Sequence, residues 1–321
     1  MSSEQPTKIQ QLRSLVANPA AQAAFAATLL QIKLGQEVIF AALQILEKIP
    51  FAQVRPALLD LYTYYTRHGD ARDPSAFTRG AIVRALRQIV LPIDLPLLVL
   101  ATATYVFPPP SFKEEGAPLR SAALLALNEI DEPLARYHAV RLLANEHTDP
   151  MSGEPALTAA RLLGTHEEVL PLYFYVMHAG AGVYPEVTAE CLRHLTLLPV
   201  TLLPGLVERF AHNTSSMVLV GLFDLLLNHR AGPQELDFLR DFLVNTLQFD
   251  LYRYLATTMV ASNQEKLLNE LLAVARFEQR REKIAILCEA LHLLPPSPEI
   301  TTLLAQLNRR LGTTKQTLRT A

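Results

Sequence analysis

A proline opens a helix-like segment again and again along this 321-residue chain. The segments read VRPALLDLY at Pro56, DLPLLVLA at Pro96, DEPLARYHAV at Pro133, VLPLYFYV at Pro171, LLPGLVERF at Pro204, AGPQELDFL at Pro233 and PSPEITTLL at Pro298. Proline in a first helical turn costs nothing, because its missing N–H would find no intrahelical partner there. Before most of them runs an Ala/Leu-rich core: AALQIL from Ala41, AIVRAL from Ala81, AALLAL from Ala122, AARLLG from Ala159, AECLRH from Ala189 and VGLFDL from Val220. These cores are spaced by 40, 41, 37, 30 and 31 residues. Two helices per unit at a period of roughly 30 to 45 residues is the pattern of an α-solenoid, whose units bury their apolar faces on one another. Two looser units follow, LATTMVASNQEKLLNELLAVA and IAILCEALHLLPPSPEITTLL. Strand signals, alternating β-branched runs bounded by Asn-Gly or Asp-Gly, are scarce.

Composition agrees with a packed chain. Half the residues are hydrophobic and 19% are charged, far from a disordered composition. The net charge of -2 lacks the basic excess with which non-specific nucleic-acid binders neutralise phosphate. No charged residue lies between Asp94 and Lys113. That apolar run stops at Phe107 before three prolines, too short for the roughly 20 residues of a membrane span. It reads as a second helix over Leu95–Phe107, covered on both flanks, with Ala101 and Ala103 allowing close approach. FPPPSFKEEGAP (107–118) and NEHTDPMSGEP (145–155) read as exposed connectors, the first stiffened by proline. Residues up to about Leu34 read as a capping helix pair, 36–311 as repeats, and the polar 312–321 as a fraying tail of one continuous array.

The run Ala156 to Tyr173, ALTAARLLGTHEEVLPLY, resembles the HEAT-repeat (armadillo-type) family, including its short bacterial units. The usual turn Asp and second-helix Arg/Lys of that family are mostly missing. The resemblance implies an all-α fold, a right-handed α-α superhelix of about eight helical hairpins. It implies architecture rather than an activity.

Motifs for chemistry are sparse. None of the nine histidines has a metal-ligand spacing such as HExxH, and neither a metal nor a cofactor is expected. His166 with Glu167 and Glu168 reads as a turn before a helix, Gly164 having ended the previous one. Gly180 and Gly182 follow a helix, not the strand that a phosphate cradle needs. P-loop and GxSxG patterns are absent. Cys191 and Cys288 are too few for a disulfide framework or a four-thiolate zinc site, and read as buried free thiols of a cytoplasmic protein. Cys191 and His194 share one helix face, as a core edge rather than a nucleophile pair. MSSEQPTKIQQLRSL shows no secretion signal. RFEQRREKIAIL (276–287) reads as an exposed helix start laced with ion pairs, and Arg309, Arg310, Lys315 and Arg319 as a basic helix end.

Counting along each second helix from its proline gives a set of residues on one face: Asp60 and Tyr64; Tyr137 and Arg141; Tyr175 and His178; Glu208 and His212; Asp237 and Asp241. The resemblance implies that second helices line a concave surface, which would bring these residues into one row. Tyr, His and Arg suit contact, burying area at modest entropy cost. The acidic C-terminal members favour a basic or neutral partner. The expected function is a non-catalytic scaffold for a protein or peptide, with no membrane and no nucleic acid. A HEAT-like DNA glycosylase is one alternative, weakened by the absence of Trp and of basic charge; a bilin lyase or chaperone is another. Tyr62, Tyr64 and Tyr65 could cover an end of the array or meet a second copy.

Overall fold

The computed structural model describes residues 4–178 and 183–317, and among these there is no β-strand. The chain divides into two compact units, Met1–His166 and Glu167–Ala321. The division falls after His166 and not at the triple proline Pro108–Pro110.

The first unit holds α1 (Glu4–Ser14), α2 (Pro19–Thr28), α3 (Gln36–Lys48), α4 (Arg55–Arg67), the single turn α5 (Gly69–Arg72), α6 (Phe77–Leu86), α7 (Leu95–Thr102), α8 (Ala117–Asn128), α9 (Glu132–Leu143) and α10 (Ala156–Thr165). Helices α2, α3, α6, α8 and α10 pack successively side by side in a first rank. Helices α4, α7 and α9 form a second rank, packed on α6, α8 and α10 respectively. The first rank is nearly all core: α8 buries Ala117, Leu119, Ala122, Ala123, Leu124, Ala126 and Leu127. The second rank buries only a stripe, in α9 Ala135, Ala139, Leu142 and Leu143. The proline rule holds in position: Pro56, Pro96 and Pro133 are each the second residue of their helix.

The second unit repeats the plan with α11 (Val169–His178), α12 (Pro185–Arg193), α13 (Leu203–Phe210), α14 (Ser216–Asn228), α15 (Leu236–Asn245), α16 (Phe249–Ala261), α17 (Glu265–Phe277), α18 (Arg281–Leu291) and α19 (Pro298–Thr317). Its first rank is α12, α14, α16 and α18. The helices α11, α13, α15, α17 and α19 lie against it, with α17 between α15 and α19. Helix α19 continues six residues past Leu311, where the polar composition predicts fraying. Gly180 and Gly182 lie outside the described residues.

Three local expectations need correction. Helix α7 stops at Thr102, five residues short of Phe107, and is not covered on both flanks: Leu100 is 66% exposed, and Ala103, Tyr105 and Phe107 also face solvent. An apolar run can be apolar all round without being buried all round, because a second-rank helix has only one packed side. Helix α10 runs through Gly164, and the left-handed residue after its cap is Glu167, with φ 57°. Tyr62 and Tyr65 lie inside the first unit rather than at a free end, while Tyr64 stacks on His68 with ring centroids 4.6 Å apart.

The first connector is fastened, not loose. The fully buried Arg120 of α8 holds Glu114 through Nη1 at 2.6 Å and Nη2 at 2.8 Å. It also donates to the Thr104 carbonyl and to the His147 carbonyl, each at 3.1 Å, and lies 4.4 Å from the Tyr105 ring centroid. One guanidinium thus ties both long connectors to one helix. Glu114 in turn accepts from the N–H groups of Val106 and Gly116. Replacing Arg120 with leucine is expected to cost about 3–5 kcal/mol, because Glu114 would be left buried without its cation. Urea denaturation measures it, and a loss under about 1 kcal/mol would show the clamp to be dispensable.

In the second unit α12 and α14 meet backbone to backbone. A Cβ on Gly221 would sit 2.5 Å from the Ala189 carbonyl oxygen and 2.6 Å from its Cα. Gly221→Ala is expected to destabilise by roughly 1–3 kcal/mol through overpacking against backbone that cannot rotate away. Gly205 in α13 has no neighbour within 4 Å of such a Cβ. Gly205→Ala is expected to stabilise by about 0.4–1 kcal/mol, chiefly by restricting the unfolded chain. Paired thermal melts of the two variants test the contrast.

Candidate binding surface

Each rank assigns its side chains to a different environment, and the second rank carries the surface. Beyond the first two residues of a helix, the exposed large apolar residues among the described α-helices fall on α7 (Leu100), α9 (Tyr137, Val140), α11 (Phe174, Met177), α15 (Val244) and α17 (Phe277). Among the described residues the first rank shows Phe77 and Met217, each within the first two residues of its helix, as Leu170 is on α11. This asymmetry follows from the packing: a first-rank helix has neighbours on three sides, a second-rank helix on one or two.

The residues singled out along the second helices are placed as follows. In the first unit Asp60 is exposed and Tyr64 half-buried on α4; Tyr137, 78% exposed, and Arg141 stand on α9. Arg141 is committed to structure: Nη2 donates to the Thr102 carbonyl at 2.8 Å and lies 3.3 Å from His138 Nδ1. Burial, with Arg141 beside it, pushes the His138 imidazole below its usual value, so it stays neutral. In the second unit Tyr175 is half-buried on α11, and His178 is exposed and stacks on Phe174 at 5.0 Å. Glu208 on α13 and His212 just beyond it are exposed, as are Asp237 and Asp241 on α15. Asp237 pairs with Arg240 at 3.1 Å. The members of each pair share a helix or its end.

The other residues singled out in the sequence are placed as follows. His166 caps α10 and opens the turn before α11, as the sequence reads; its ring meets Asn128 Oδ1 at 3.0 Å and Glu132 Oε1 at 3.3 Å. Cys191 is fully buried and its thiol is pushed up by burial and by Glu190, the opposite of an activated nucleophile. His194 turns instead to Glu190, at 3.2 Å. Glu190 and Asp224 are bridged by Arg193 at 2.8 Å each, and Tyr254 donates to Asp224, so one polar network links α12, α14 and α16. Lys283, expected on an exposed helix start, is fully buried. Its Nζ caps the end of α15 through the carbonyls of Leu243 and Val244 and sits 4.9 Å from the Tyr252 ring centroid. Arg310 similarly donates to the carbonyls of Arg276 and Glu278 at the end of α17.

Sequence reasoning did not find a groove between α15 and α17. Val244, Ala273, Val274 and Phe277 line its apolar wall, and Arg240, Glu270, Glu278 and Arg280 its rim. Its only trace in the sequence is an aromatic, Phe277, inside the charged run RFEQRR. Arg240 chelates Glu270 and holds its carboxyl below the usual range. Among the described residues no group of three or more His, Cys, Asp or Glu side chains could hold a metal ion, and no helix is long and apolar enough to cross a membrane. No protein-family model, curated protein or solved structure matches this chain.

Five tyrosines, Tyr62, Tyr65, Tyr175, Tyr252 and Tyr254, are pushed above 10.0, in each case first by burial; Tyr254, which also faces Asp224, reaches about 12. A phenol whose folded value is raised keeps its contribution to stability below the unfolded value and loses it as pH climbs beyond. The two buried thiols, Cys191 and Cys288, are raised by burial as well and act in the same direction; Lys283 is shifted down by burial and opposes them, but it is one group against seven. Stability is therefore expected to fall from about pH 9, where unfolded thiols ionise, and more steeply from about pH 10 to 12, where unfolded phenols follow. Urea midpoints across that range, with tyrosinate absorbance, check this; free titration of all ten tyrosines before unfolding would contradict it.

Proposed function

We propose that this chain is a cytoplasmic, non-catalytic scaffold built from HEAT-like helical hairpins, binding a protein or peptide partner on its second-rank helices. The observation that carries the reading is the confinement of exposed apolar side chains within helices to that rank, away from helix starts. Large apolar groups left in water where the neighbouring faces are efficiently packed are the usual mark of an interaction surface. The two-rank packing of hairpins within each unit supports the resemblance to bacterial HEAT-like units. The candidate row contributes its exposed members, chiefly Tyr137, Glu208, Asp237 and Asp241, as the polar setting of these apolar groups.

Selection from a random peptide display library tests the reading. Binders are expected, and the triple variant Leu100→Ser, Tyr137→Ala, Val140→Ser is expected to lose at least tenfold in affinity for those that use the first unit. Its melting temperature should stay close to that of the parent, because all three side chains are exposed. A library that yields no binder, or binders indifferent to changes on either unit's second rank, would exclude the surface. Retention on heparin at low salt would instead favour a nucleic-acid partner.

A further inference from the structure

The groove between α15 and α17 has a volume of about 460 Å³, within the roughly 300–1,000 Å³ of sites that enclose a small ligand. Its wall is apolar: Val244 from α15, Ala273 and Val274 as floor, and Phe277, 81% exposed, at the rim. Four charges line it, and three are satisfied. Arg240 and Glu270 hold each other through two hydrogen bonds. Glu278 Oε1 accepts from the backbone N–H groups of Gln279 and Arg280, each at 2.8 Å, and its Oε2 lies 3.9 Å from Lys283 Nζ. The fourth is not satisfied. Arg280 reaches only the Thr246 carbonyl, at 3.5 Å, and has no ion pair with a carboxylate among the described residues. At this end of the groove the lining charges are Glu278, whose carboxylate is taken up by backbone N–H groups, and the guanidinium of Arg280, which has no carboxylate opposite it. A guanidinium offers paired donors matched to a carboxylate, and a pair beside an apolar wall is less screened than one in open water.

We propose that this groove binds the C-terminal end of a peptide, its last apolar side chain between Val244 and Phe277 and its α-carboxylate on Arg280. This rests on the peptide-binding reading above and narrows its ligand. A terminal residue carries a carboxylate and an apolar side chain on one Cα, which is the juxtaposition the groove presents. The exposed Asp237 and Asp241 on the same helix favour a basic residue upstream and disfavour an acidic one.

The test is fluorescence anisotropy with the amino-terminally labelled hexapeptide Gly-Ser-Lys-Gly-Ala-Leu, as free acid and as C-terminal amide. The acid is expected to bind at least fivefold more tightly than the amide. Arg280→Gln, at an exposed site, should bring the two to equal affinity, and Phe277→Ser should weaken both. Equal binding of acid and amide to the parent protein would overturn the carboxylate assignment while leaving peptide binding in place. So would display-selected peptides that bind while the hexapeptide does not. Competition by N-acetyl-leucine as potent as by the hexapeptide would overturn the peptide in favour of a free amphipathic acid. If no peptide binds at all, both the inference and the reading beneath it fall.

Discussion

A hairpin of two amphipathic helices cannot bury its own apolar flank, and this constraint underlies every other feature of the chain. The flank of α6 needs α8, and that of α14 needs α12 and α16. The hydrophobic term scales with area removed from water, so the rank in contact with most neighbours carries most of the core. That rank also contains a close backbone approach, at Gly221 against Ala189. The second rank contributes a stripe per helix and keeps its remaining faces for solvent or a ligand.

Buried charge is used in the same economical manner. Arg120, Lys283 and Asp73 are all buried, and each is matched by hydrogen bonds that reach from one element to another. Asp73 accepts from the backbone N–H groups of Thr78 and Arg79 at the start of α6, where the residue in the cap position is Ala76 and offers no acceptor. Lys283 does the complementary work at the carbonyl end of α15. The start of α6 and the ends of α15 and α17 are thus completed by side chains from outside those helices.

This explains what was legible in the sequence. The proline-led second helices and the Ala/Leu-rich first helices were visible because helix starts and apolar periodicity are local. Pro56, Pro96, Pro133 and Pro204 each occupy the second position of a helix. The end of α7 was misjudged because nothing local in Ala103–Phe107 forbids a helix; the connector is drawn away by Arg120, sixteen residues beyond Thr104. The burial of Lys283 was missed for a similar reason: its partners are carbonyls some forty residues earlier, which have no sequence identity to read. The groove escaped notice because its wall is assembled from residues 240–244 and 270–280, neither of which is a motif alone.

The contact of α14 with α12 has a mechanical meaning. Helices whose backbones touch without intervening side chains have no lubricating layer, so they cannot slide or tilt past one another by rotamer changes. The pair must travel as a single plate. Any bending of the second unit is then taken up at seams cushioned by longer side chains, such as α15 against α17, where the cavity already lies. A unit locked at that seam can flex only at its others, so its stiffness is set by where a glycine removes the side-chain layer.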